Sequence, residues 1–390
     1  MIVRIKAMSE NRRILHLIKT LDGATWAFHQ ILELRRLGWD VHIAAPTKVG
    51  RFLSEMQKTG APLHVLPVEF PVKTPWLLPR HSAGLKKLVQ ELNPALVHSH
   101  FVSTTLLARH ALRGMSIPRI FQVPGPLHLE HRLFGMWDTM SADSDDYWIG
   151  SSEFIRRLYI DGYHRSPERV FKSYYGIELN PPTGESFLRE RYKIPAHAFV
   201  IGNVSFFYPP KKHLGQKVGI KGHELMLDAL EILMPEHPDL WAVFIGGPWG
   251  ASENYFERLK ARAQLIGKGR IIFTGTLPHA EVLRSWREMD LALHIPLSEN
   301  CGGVVEPLLV KTPVLASKVG GLPEVIIDEE TGLLVDRTPE SVTQKLRWML
   351  AHRSELSRFG GNGFERINQM FARKNTAAEI DALYHKILSV

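Results

Sequence analysis

The most constraining feature of the sequence is a regular alternation of short apolar runs with longer amphipathic stretches. In the first half, runs such as ILHLIK (14–19), VHIAAP (41–46) and ALVHSH (95–100) are separated by segments of helical periodicity. The alternation restarts at FVIGNVS (199–205) and continues to residue 336. Short buried strands that alternate with helices form βαβ units, and these build parallel sheets. The sequence therefore predicts an α/β fold of two doubly wound, Rossmann-like domains that face each other across a cleft.

The boundary between the two domains is predicted at the Pro- and Gly-rich stretch ELNPPTGES (178–186). A chain of 390 residues is long enough for two domains of ordinary size. We predict an N-terminal domain over residues 1–180 and a C-terminal domain over residues 181–370. A final helix over residues 371–390 is predicted to pack back on the N-terminal domain.

Composition excludes several classes of protein. Hydrophobic residues make up 44% of the chain and charged residues 23%, which is typical of a globular protein rather than a disordered one. A single cysteine excludes a disulfide framework and a cysteine-rich zinc module. No apolar run reaches 18 residues, and the first residues lack the layout of a signal peptide. We therefore expect no transmembrane helix and a cytoplasmic location.

The positive charge is concentrated in the first half of the chain. Residues 1–180 carry 23 Lys and Arg against 16 Asp and Glu, whereas residues 181–390 carry 25 against 24. A basic half suits nucleic acid, an anionic membrane surface or anionic small molecules, and it also serves solubility. No block of five Lys or Arg and no nucleic-acid-binding module is present, so we do not expect nucleic-acid binding.

The densest signal for a binding site lies in residues 298–336. Pro307 lacks a backbone N–H and fits only the first turn of a helix, so a helix is predicted to start near Gly303. Backbone N–H groups at 301–304 and the positive end of that helix would then form a phosphate site. Glu306 is an acceptor of the kind that holds two ribose hydroxyls. A glycine-rich βα turn with a capping carboxylate is the structural alternative.

A second signal lies between the strand at 199–205 and the next helix. An irregular loop carries Lys211 and Lys212, and Lys221 with Gly222 opens the helix. Cations beside a helix N-terminus suit a diphosphate, although a solvated basic loop explains the same residues.

The N-terminal half offers weaker candidates. Gly23 lies in a turn that opens a helix and could approach a phosphate or a sugar, but the turn is not the GxGxxG pattern of a nicotinamide dehydrogenase. His128 follows another strand and is a candidate polar contact to a reacting ligand. His98 and His100 end a further strand and are weaker candidates, since the chain has 19 histidines. The acidic run 143–146 is interpreted as a solvated turn, and no metal site is predicted.

Several sequence marks in the same order resemble a known family. The chain is similar to the family 4 glycosyltransferases of the GT-B fold along nearly its whole length. The marks are Lys221-Gly222, Phe273-Thr274-Gly275, Glu306-Pro307, Thr312-Pro313-Val314, Gly320-Gly321-Leu322-Pro323-Glu324, Thr331-Gly332-Leu333-Leu334-Val335, His98-Ser99-His100 and Tyr175-Gly176-Ile177-Glu178. The resemblance implies retaining transfer from a nucleotide-sugar donor, UDP- or GDP-linked, to an acceptor hydroxyl. It also implies that neither a metal nor another cofactor is needed, because amides, helix dipoles and cations neutralise the leaving diphosphate.

The resemblance also implies roles for particular residues. Glu306 would hold the ribose, Lys221 the diphosphate, and Glu299 the donor sugar. The catalytic residues implied or proposed are Glu299, His128 and Lys221. The donor-binding residues are Glu306, Lys221, Lys211, Lys212, Gly302, Gly303, Gly23, Asn300 and Cys301.

The chain departs from the family pattern at three places. The paired acids of the family stand eight positions apart, whereas Glu299 and Glu306 stand seven apart, and Ser298 occupies the eighth position. An insertion precedes Lys221, so that either Lys211 or Lys212 takes the place of the usual basic partner. His128 lies three residues after Gly125, although the family histidine often directly precedes a glycine.

The resulting prediction is a hexosyltransferase acting in cell-surface polysaccharide or glycolipid assembly. Its expected partners are a nucleotide-sugar donor, a saccharide or lipid-linked acceptor and an anionic membrane surface at the inner face of the plasma membrane. The alternatives are a nucleotide-sugar epimerase of the same architecture and a non-catalytic subunit that binds sugar nucleotides.

Overall fold

The computed structural model describes residues 11–180, 182–211 and 216–389. Contacts between Cα atoms divide the chain into two compact units. Unit 1 comprises Met1–Glu178 together with Met370–Val390, and unit 2 comprises Leu179–Gln369.

Unit 1 contains a parallel sheet in the strand order β3-β2-β1-β4-β5-β6-β7. Its strands are β1 (Arg13–Leu17), β2 (Asp40–Ala45), β3 (Leu63–Val65), β4 (Leu96–Ser99), β5 (Arg119–Val123), β6 (Asp146–Gly150) and β7 (Val170–Lys172). The helices between them are α1 (Thr25–Arg36), α2 (Leu53–Lys58), α3 (Leu78–Leu92), α4 (Val102–Ala111), α5 (Arg132–Ser141) and α6 (Glu153–Arg157).

Unit 2 contains a second parallel sheet, in the order β10-β9-β8-β11-β12-β13. Its strands are β8 (Phe199–Val204), β9 (Leu240–Ile245), β10 (Ile271–Gly275), β11 (Leu291–His294), β12 (Val314–Ser317) and β13 (Leu333–Val335). Its helices are α7 (Leu188–Arg191), α8 (His223–Glu236), α9 (Glu253–Gly267), α10 (His279–Ser285), α11 (Val305–Leu309), α12 (Leu322–Val325), α13 (Pro339–Ala351) and α14 (Arg353–Phe371). The last helix of the chain, α15 (Arg373–Leu388), packs on α1.

Both sheets confirm the prediction of doubly wound, Rossmann-like units. The strands of each sheet are buried by helices on both faces, as the continuous apolar runs required. The strand order reverses between β1 and β4 in unit 1, and between β8 and β11 in unit 2. In open α/β sheets, ligands bind beyond the carboxyl ends of the strands at such a reversal.

The interpretation of the acidic run 143–146 as a solvated turn was wrong for Asp146. This residue begins β6 and is buried, and its carboxylate accepts hydrogen bonds from the equally buried Arg109 and Arg119. A buried charge is tolerated only when it is paired and hydrogen-bonded. The arginines that satisfy Asp146 come from α4 and β5, and the sequence does not show that they converge on one carboxylate.

Buried polar side chains connect α15 to the sheet of unit 1. His98 Nδ1 lies 2.5 Å from the Tyr384 hydroxyl, which lies 3.2 Å from His16 Nε2. His16 Nδ1 lies 2.9 Å from His100 Nε2, and His100 Nδ1 lies 3.0 Å from the Tyr175 hydroxyl. We call these five residues the histidine chain.

The direction of every hydrogen bond in the histidine chain follows from one fixed end. The Tyr175 hydroxyl donates to the backbone carbonyl of Gln122, so it accepts from His100 Nδ1–H. His100 Nε2 must then accept from His16 Nδ1–H, and His16 Nε2 from the Tyr384 hydroxyl, which in turn accepts from His98 Nδ1–H. All three imidazoles are neutral in this arrangement. The burial of the rings also favours the neutral state. It lowers the pKa of His16 to about 3 and lowers the pKa values of His98 and His100 well below their ordinary value.

The same three histidines do not have the geometry of a metal site, although their ring nitrogens lie within 4.8 Å of one another. The rings are stacked, with His98 and His100 inclined by 16° at 4.5 Å between centroids. Because the lone pair of an imidazole nitrogen lies in the ring plane, stacked rings cannot all direct a lone pair at one ion. The arrangement suits a hydrogen-bonded chain.

The neutral histidines predict that unit 1 loses stability as the pH falls below about 6.5, where an unfolded histidine becomes protonated. Between pH 6.5 and 3 the unfolded chain takes up protons that the folded ring of His16 does not, which costs about 1.4 kcal/mol per pH unit for each such histidine. Thermal unfolding at pH 7 and pH 5 measures this slope. The His98→Gln variant should start less stable and show a shallower pH dependence. His110→Gln, an exposed site in the same unit, is the control and should retain the wild-type slope; equal slopes for all three proteins would contradict the prediction.

Candidate functional site

Gly222 brings the start of α8 against the segment that follows β11. It adopts φ +73°, and a Cβ at this position would lie 2.1 Å from the carbonyl oxygen of Ile295. Only glycine avoids that collision at a left-handed backbone angle. The close approach occurs beside the strand reversal of unit 2, and it holds Lys221 next to the turn that contains Glu299.

Lys221 and Glu299 form the central ion pair of this site. Lys221 Nζ donates to Glu299 Oε2 at 2.5 Å, and His294 Nε2 lies 3.5 Å from the same oxygen. Burial alone would raise the pKa of Glu299, but the interaction with the neighbouring His294 and the charge of Lys221 outweigh it and lower the pKa to about 2. Both side chains keep partial exposure, 22% for Lys221 and 19% for Glu299. The pair is therefore ionised and accessible to a ligand.

Glycines surround the ion pair where other backbones and rings come close. A Cβ at Gly303 would lie 2.2 Å from His294 Nε2, and one at Gly320 would collide with the Glu299 carbonyl oxygen. A Cβ at Gly302 would meet nothing within 4 Å, so the backbone of Gly302 borders open space. The neighbouring glycines 302 and 303 therefore have different roles. Gly303 makes room for the His294 ring, and Gly302 leaves space for a ligand.

The helix predicted to start near Gly303 is short. The 3-10 turn Gly302–Val304 leads into α11, which has five residues, and Pro307 lies in its first turn as predicted. Glu306 is 38% exposed and lies 3.9 Å from His279. Partial burial raises the pKa of Glu306 against the opposing charge of His279. A helix this short supplies only a weak dipole, because the macrodipole sums over aligned peptide units.

The remaining residues of the turn have structural contacts of their own. The backbone N–H of Asn300 donates to Glu299 Oε1 at 3.2 Å. Cys301 is buried, and its thiol donates to the Gly321 carbonyl at 3.3 Å, so its side chain points into the protein. Ser298, which occupies the family's eighth position, is buried as well. The acidic side chain that reaches Lys221 is therefore that of Glu299, in spite of the shortened spacing.

The basic loop before Lys221 is only partly described. Lys211 is exposed, and its backbone N–H donates to the Gln216 side chain at 2.9 Å. Lys212 lies outside the described residues. The structure therefore does not decide which of Lys211 and Lys212 takes the place of the family's basic residue.

In unit 1, Gly23 follows β1 at the strand reversal. A Cβ at Gly23 would meet nothing within 4 Å, and the next residue, Ala24, adopts the left-handed φ of 63° before α1 begins. Asp22 accepts the backbone N–H of Arg51 at 2.8 Å and thereby fixes the turn. The backbone of Gly23 is open to a ligand in unit 1.

His128 lies in the turn after β5, beside two residues that the sequence analysis missed. Its Nε2 lies 3.2 Å from Asp138 Oδ2 and 3.2 Å from the Tyr159 hydroxyl. Asp138 belongs to α5, a helix that the sequence pattern did not predict. In unit 2, His294 was missed for a different reason, since a histidine at the end of a buried strand resembles an ordinary core residue.

The fold and the geometry of unit 2 define a class of protein: two Rossmann-like units, one of which carries an ionised, accessible cluster at its strand reversal. The family model of glycosyl transferases group 1 matches residues 213–366, and that of the glycosyl transferase 4-like domain matches residues 23–172. Together the two models account for most of the chain. The protein belongs to the family 4 glycosyltransferases of the GT-B fold.

Individual relatives agree with this assignment. D-inositol 3-phosphate glycosyltransferase of Corynebacterium glutamicum is 25% identical over 75% of this chain and 72% of its own length. The protein of the same name from Corynebacterium jeikeium is 33% identical over 62% of this chain and 60% of its own length. The crystal structure of Anabaena HepE in complex with UDP superposes with a TM-score of 0.80 at 18% identity, covering 96% of this chain and 100% of that one, which shows the shared fold. Within the described residues, no helix has both the length and the apolar character that crossing a bilayer requires.

The glycine geometry gives a test of the site. Gly222→Ala should lower the free energy of unfolding by about 1–3 kcal/mol, because the new Cβ meets a backbone oxygen at a positive φ. Gly302→Ala is the matched control, with open space at its Cβ, and should change stability by less than about 1 kcal/mol. Urea unfolding of both variants measures the difference. Equal losses of unfolding free energy in the two variants would contradict the role of the close contact between Gly222 and the Ile295 carbonyl oxygen.

Proposed function

We propose that the protein is a retaining glycosyltransferase that moves a sugar from a nucleotide-sugar donor to an acceptor hydroxyl. The observation that carries the proposal is the ionised Lys221–Glu299 pair with His294 at the strand reversal of unit 2. The family membership and the likeness to a protein solved with UDP support a UDP- or GDP-linked donor.

The Lys221–Glu299 pair explains how a diphosphate could be received. An incoming diphosphate is a second anion that competes with Glu299 for Lys221 Nζ. Once Lys221 turns to the diphosphate, the Glu299 carboxylate is left to accept hydrogen bonds from hydroxyls of the donor sugar. Gly302 and Gly303 offer backbone amides, and Glu306 accepts from the ribose hydroxyls. Asn300, Cys301 and Lys211 complete the donor site in this proposal, Cys301 through its backbone.

The proposed reaction is a front-face substitution. The bond from the anomeric carbon to the diphosphate oxygen breaks, and positive charge builds at the anomeric carbon. The acceptor oxygen then bonds to the same face, and its proton passes to the departing phosphate oxygen. Lys221 and the turn amides stabilise the leaving charge, so we propose that no metal is needed. Gly23 and His128 of unit 1 contact the substrates, and Glu299 holds the sugar.

Two alternative functions differ from a transferase in what they do to the donor. A nucleotide-sugar epimerase changes the sugar without an acceptor, and a non-catalytic subunit binds the donor without turnover. Incubating the protein with donor alone, followed by product analysis, separates the three. A transferase shows slow donor hydrolysis and unchanged sugar stereochemistry in the remaining donor.

A panel of UDP, GDP, UDP-glucose and GDP-mannose in a thermal-shift assay tests the donor proposal. The correct nucleotide at 100 times its Kd should stabilise the protein by about 2.7 kcal/mol. Lys221→Ala should abolish most of that shift and lower sugar transfer by about 100-fold or more. Lys345→Ala is the matched control, since Lys345 also pairs with carboxylates, Asp328 and Glu329, but lies on α13.

The companion variant Glu306→Ala should weaken nucleotide binding, because the ribose loses its acceptor. Chelation with EDTA should leave transfer unchanged. Normal transfer by both Lys221→Ala and Glu306→Ala would overturn the assignment of the donor site.

We further propose that unit 1 meets an anionic membrane surface that carries a lipid-linked acceptor of polysaccharide or glycolipid assembly. By sequence, unit 1 holds 26 Lys and Arg against 18 Asp and Glu, so the whole net charge of +8 belongs to it. The exposed face of α5 is apolar: Leu133 is 71% and Met140 75% exposed, and Met136 lies between them at helical spacing. Apolar side chains beside an excess of cations suit the surface of an anionic bilayer.

Vesicle sedimentation tests this surface. The wild-type protein should sediment with vesicles containing anionic lipid at low salt and less with neutral ones. The triple variant Leu133→Ser, Met136→Ser and Met140→Ser should lose at least about tenfold in partitioning, since each apolar side chain contributes roughly 1 kcal/mol or more when buried. Leu265→Ser, which removes an equally exposed leucine of unit 2, is the control. Equal sedimentation of the triple variant and the wild type would contradict the proposal.

A further inference from the structure

Asp138 is a buried carboxylate surrounded by donors. Its side chain is 1% exposed, and Arg109 Nη1 donates to Oδ1 at 2.7 Å. The Tyr159 hydroxyl donates to Oδ2 at 2.5 Å, and the Trp148 indole N–H points at Oδ1 from 3.5 Å. His128 Nε2 is the remaining neighbour, 3.2 Å from Oδ2.

These contacts keep Asp138 ionised. Burial alone would raise the pKa of the carboxyl, but the charge of Arg109 and the hydrogen bonds from His128 and Tyr159 outweigh it and hold the pKa well below its usual range. An ionised carboxylate has no proton to donate, so every polar neighbour must donate to it.

The ionised carboxylate decides which nitrogen of His128 carries the proton. Nε2 faces Asp138 Oδ2 and must be protonated to make a hydrogen bond there. The Tyr159 hydroxyl, whose own proton points at Asp138, can share the same Nε2–H as a second acceptor. In the neutral ring the other nitrogen, Nδ1, then carries a lone pair. The ring is 12% exposed, and within the described residues Nδ1 has no hydrogen-bond partner.

We infer that Asp138 is a positioning residue that fixes His128 as the Nε2–H tautomer, so that His128 Nδ1 accepts a hydrogen bond from a substrate hydroxyl. The inference rests on the proposed function for the identity of that hydroxyl, which belongs to the donor sugar or to the acceptor. Asp138 touches no substrate itself and acts only through the ring.

The arrangement has a consequence for what His128 can recognise. A ring with Nδ1 as acceptor binds a hydroxyl through its hydrogen and leaves the hydroxyl oxygen free. A ring protonated at Nδ1 would instead donate to that oxygen and would occupy one of its lone pairs. Asp138 therefore determines whether His128 Nδ1 accepts a hydrogen bond from a hydroxyl or donates one to it.

The tautomer is read directly by two-bond 1H–15N correlation spectra of the full-length protein labelled with 15N-histidine at pH 8. His128→Gln assigns the signal by its loss. We expect Nε2 protonated and Nδ1 unprotonated in the wild-type protein. A protonated Nδ1, either alone or together with Nε2, would overturn the inference whatever the activity.

Asp138→Asn provides the functional test. The asparagine carbonyl oxygen should stay on Arg109 and turn the amide N–H₂ toward His128, which reverses the tautomer. Sugar transfer should then lose about 100-fold or more in kcat with a smaller change in KM. Asp146→Asn is the matched control: it removes the other carboxylate from Arg109 without touching His128, so the tautomer and kcat should remain those of the wild type.

The outcomes separate this inference from the proposed function. If His128→Gln transferred sugar normally while the wild-type tautomer was as expected, the role of His128 in transfer would fail and the positioning by Asp138 would stand. If Asp138→Asn and Asp146→Asn lost activity equally with an unchanged His128 tautomer, Asp138 would be only a partner of Arg109, and the inference would fail.

Discussion

The reversal of strand order within each parallel sheet is the constraint on which the candidate chemistry depends. At the reversal, neighbouring strands send their loops in opposite directions, so the carboxyl ends of two strands border a gap with no helix over it. In unit 2 this brings together Lys221 after β8 and Glu299 after β11, 78 positions apart in the chain. In unit 1 it brings His16 of β1 against His100 after β4, 84 positions apart. Both contacts, the ion pair of unit 2 and the histidine chain of unit 1, thus depend on the order of the strands in the sheet.

The sequence predicted the two sheets well because a strand covered on both faces must be apolar throughout. It missed α5 because this helix reverses the usual pattern: its buried side carries Gly135 and Asp138, while its exposed side carries Leu133 and Met140. A reading based on apolar periodicity cannot recognise such a helix. The glycine-containing α14 was missed for another reason. A Cβ at its Gly360 would collide with the Lys311 carbonyl, so tertiary packing requires a residue that disfavours helices.

The sequence predicted the candidate site in part. Lys221, Glu299, Gly302 and Gly303 lie in short sequence motifs. The resemblance of these motifs to a known family indicated what the residues bind. The seven-residue spacing of the acids could not be interpreted from the sequence, because the reach of Glu299 depends on a close backbone approach at Gly320 and on the space that Gly303 leaves for His294. Gly320 lies 21 positions from Glu299 in the chain, so its approach to the Glu299 carbonyl oxygen is established only by the fold of unit 2.

Asp138 and Glu299 are both ionised carboxylates, and they differ in one property that suits them to different tasks. Each is held by a cation and a histidine, but the Asp138–Arg109 pair is 1–2% exposed, whereas Glu299 and Lys221 are 19% and 22% exposed. Separating a fully buried pair leaves an unpaired charge in a medium of low polarity, at a cost of about 3–5 kcal/mol. Water and an incoming anion can replace the partners of the partly exposed Glu299–Lys221 pair at much lower cost. Asp138 is therefore suited to hold one geometry permanently, and Glu299 to give up its lysine when a diphosphate arrives.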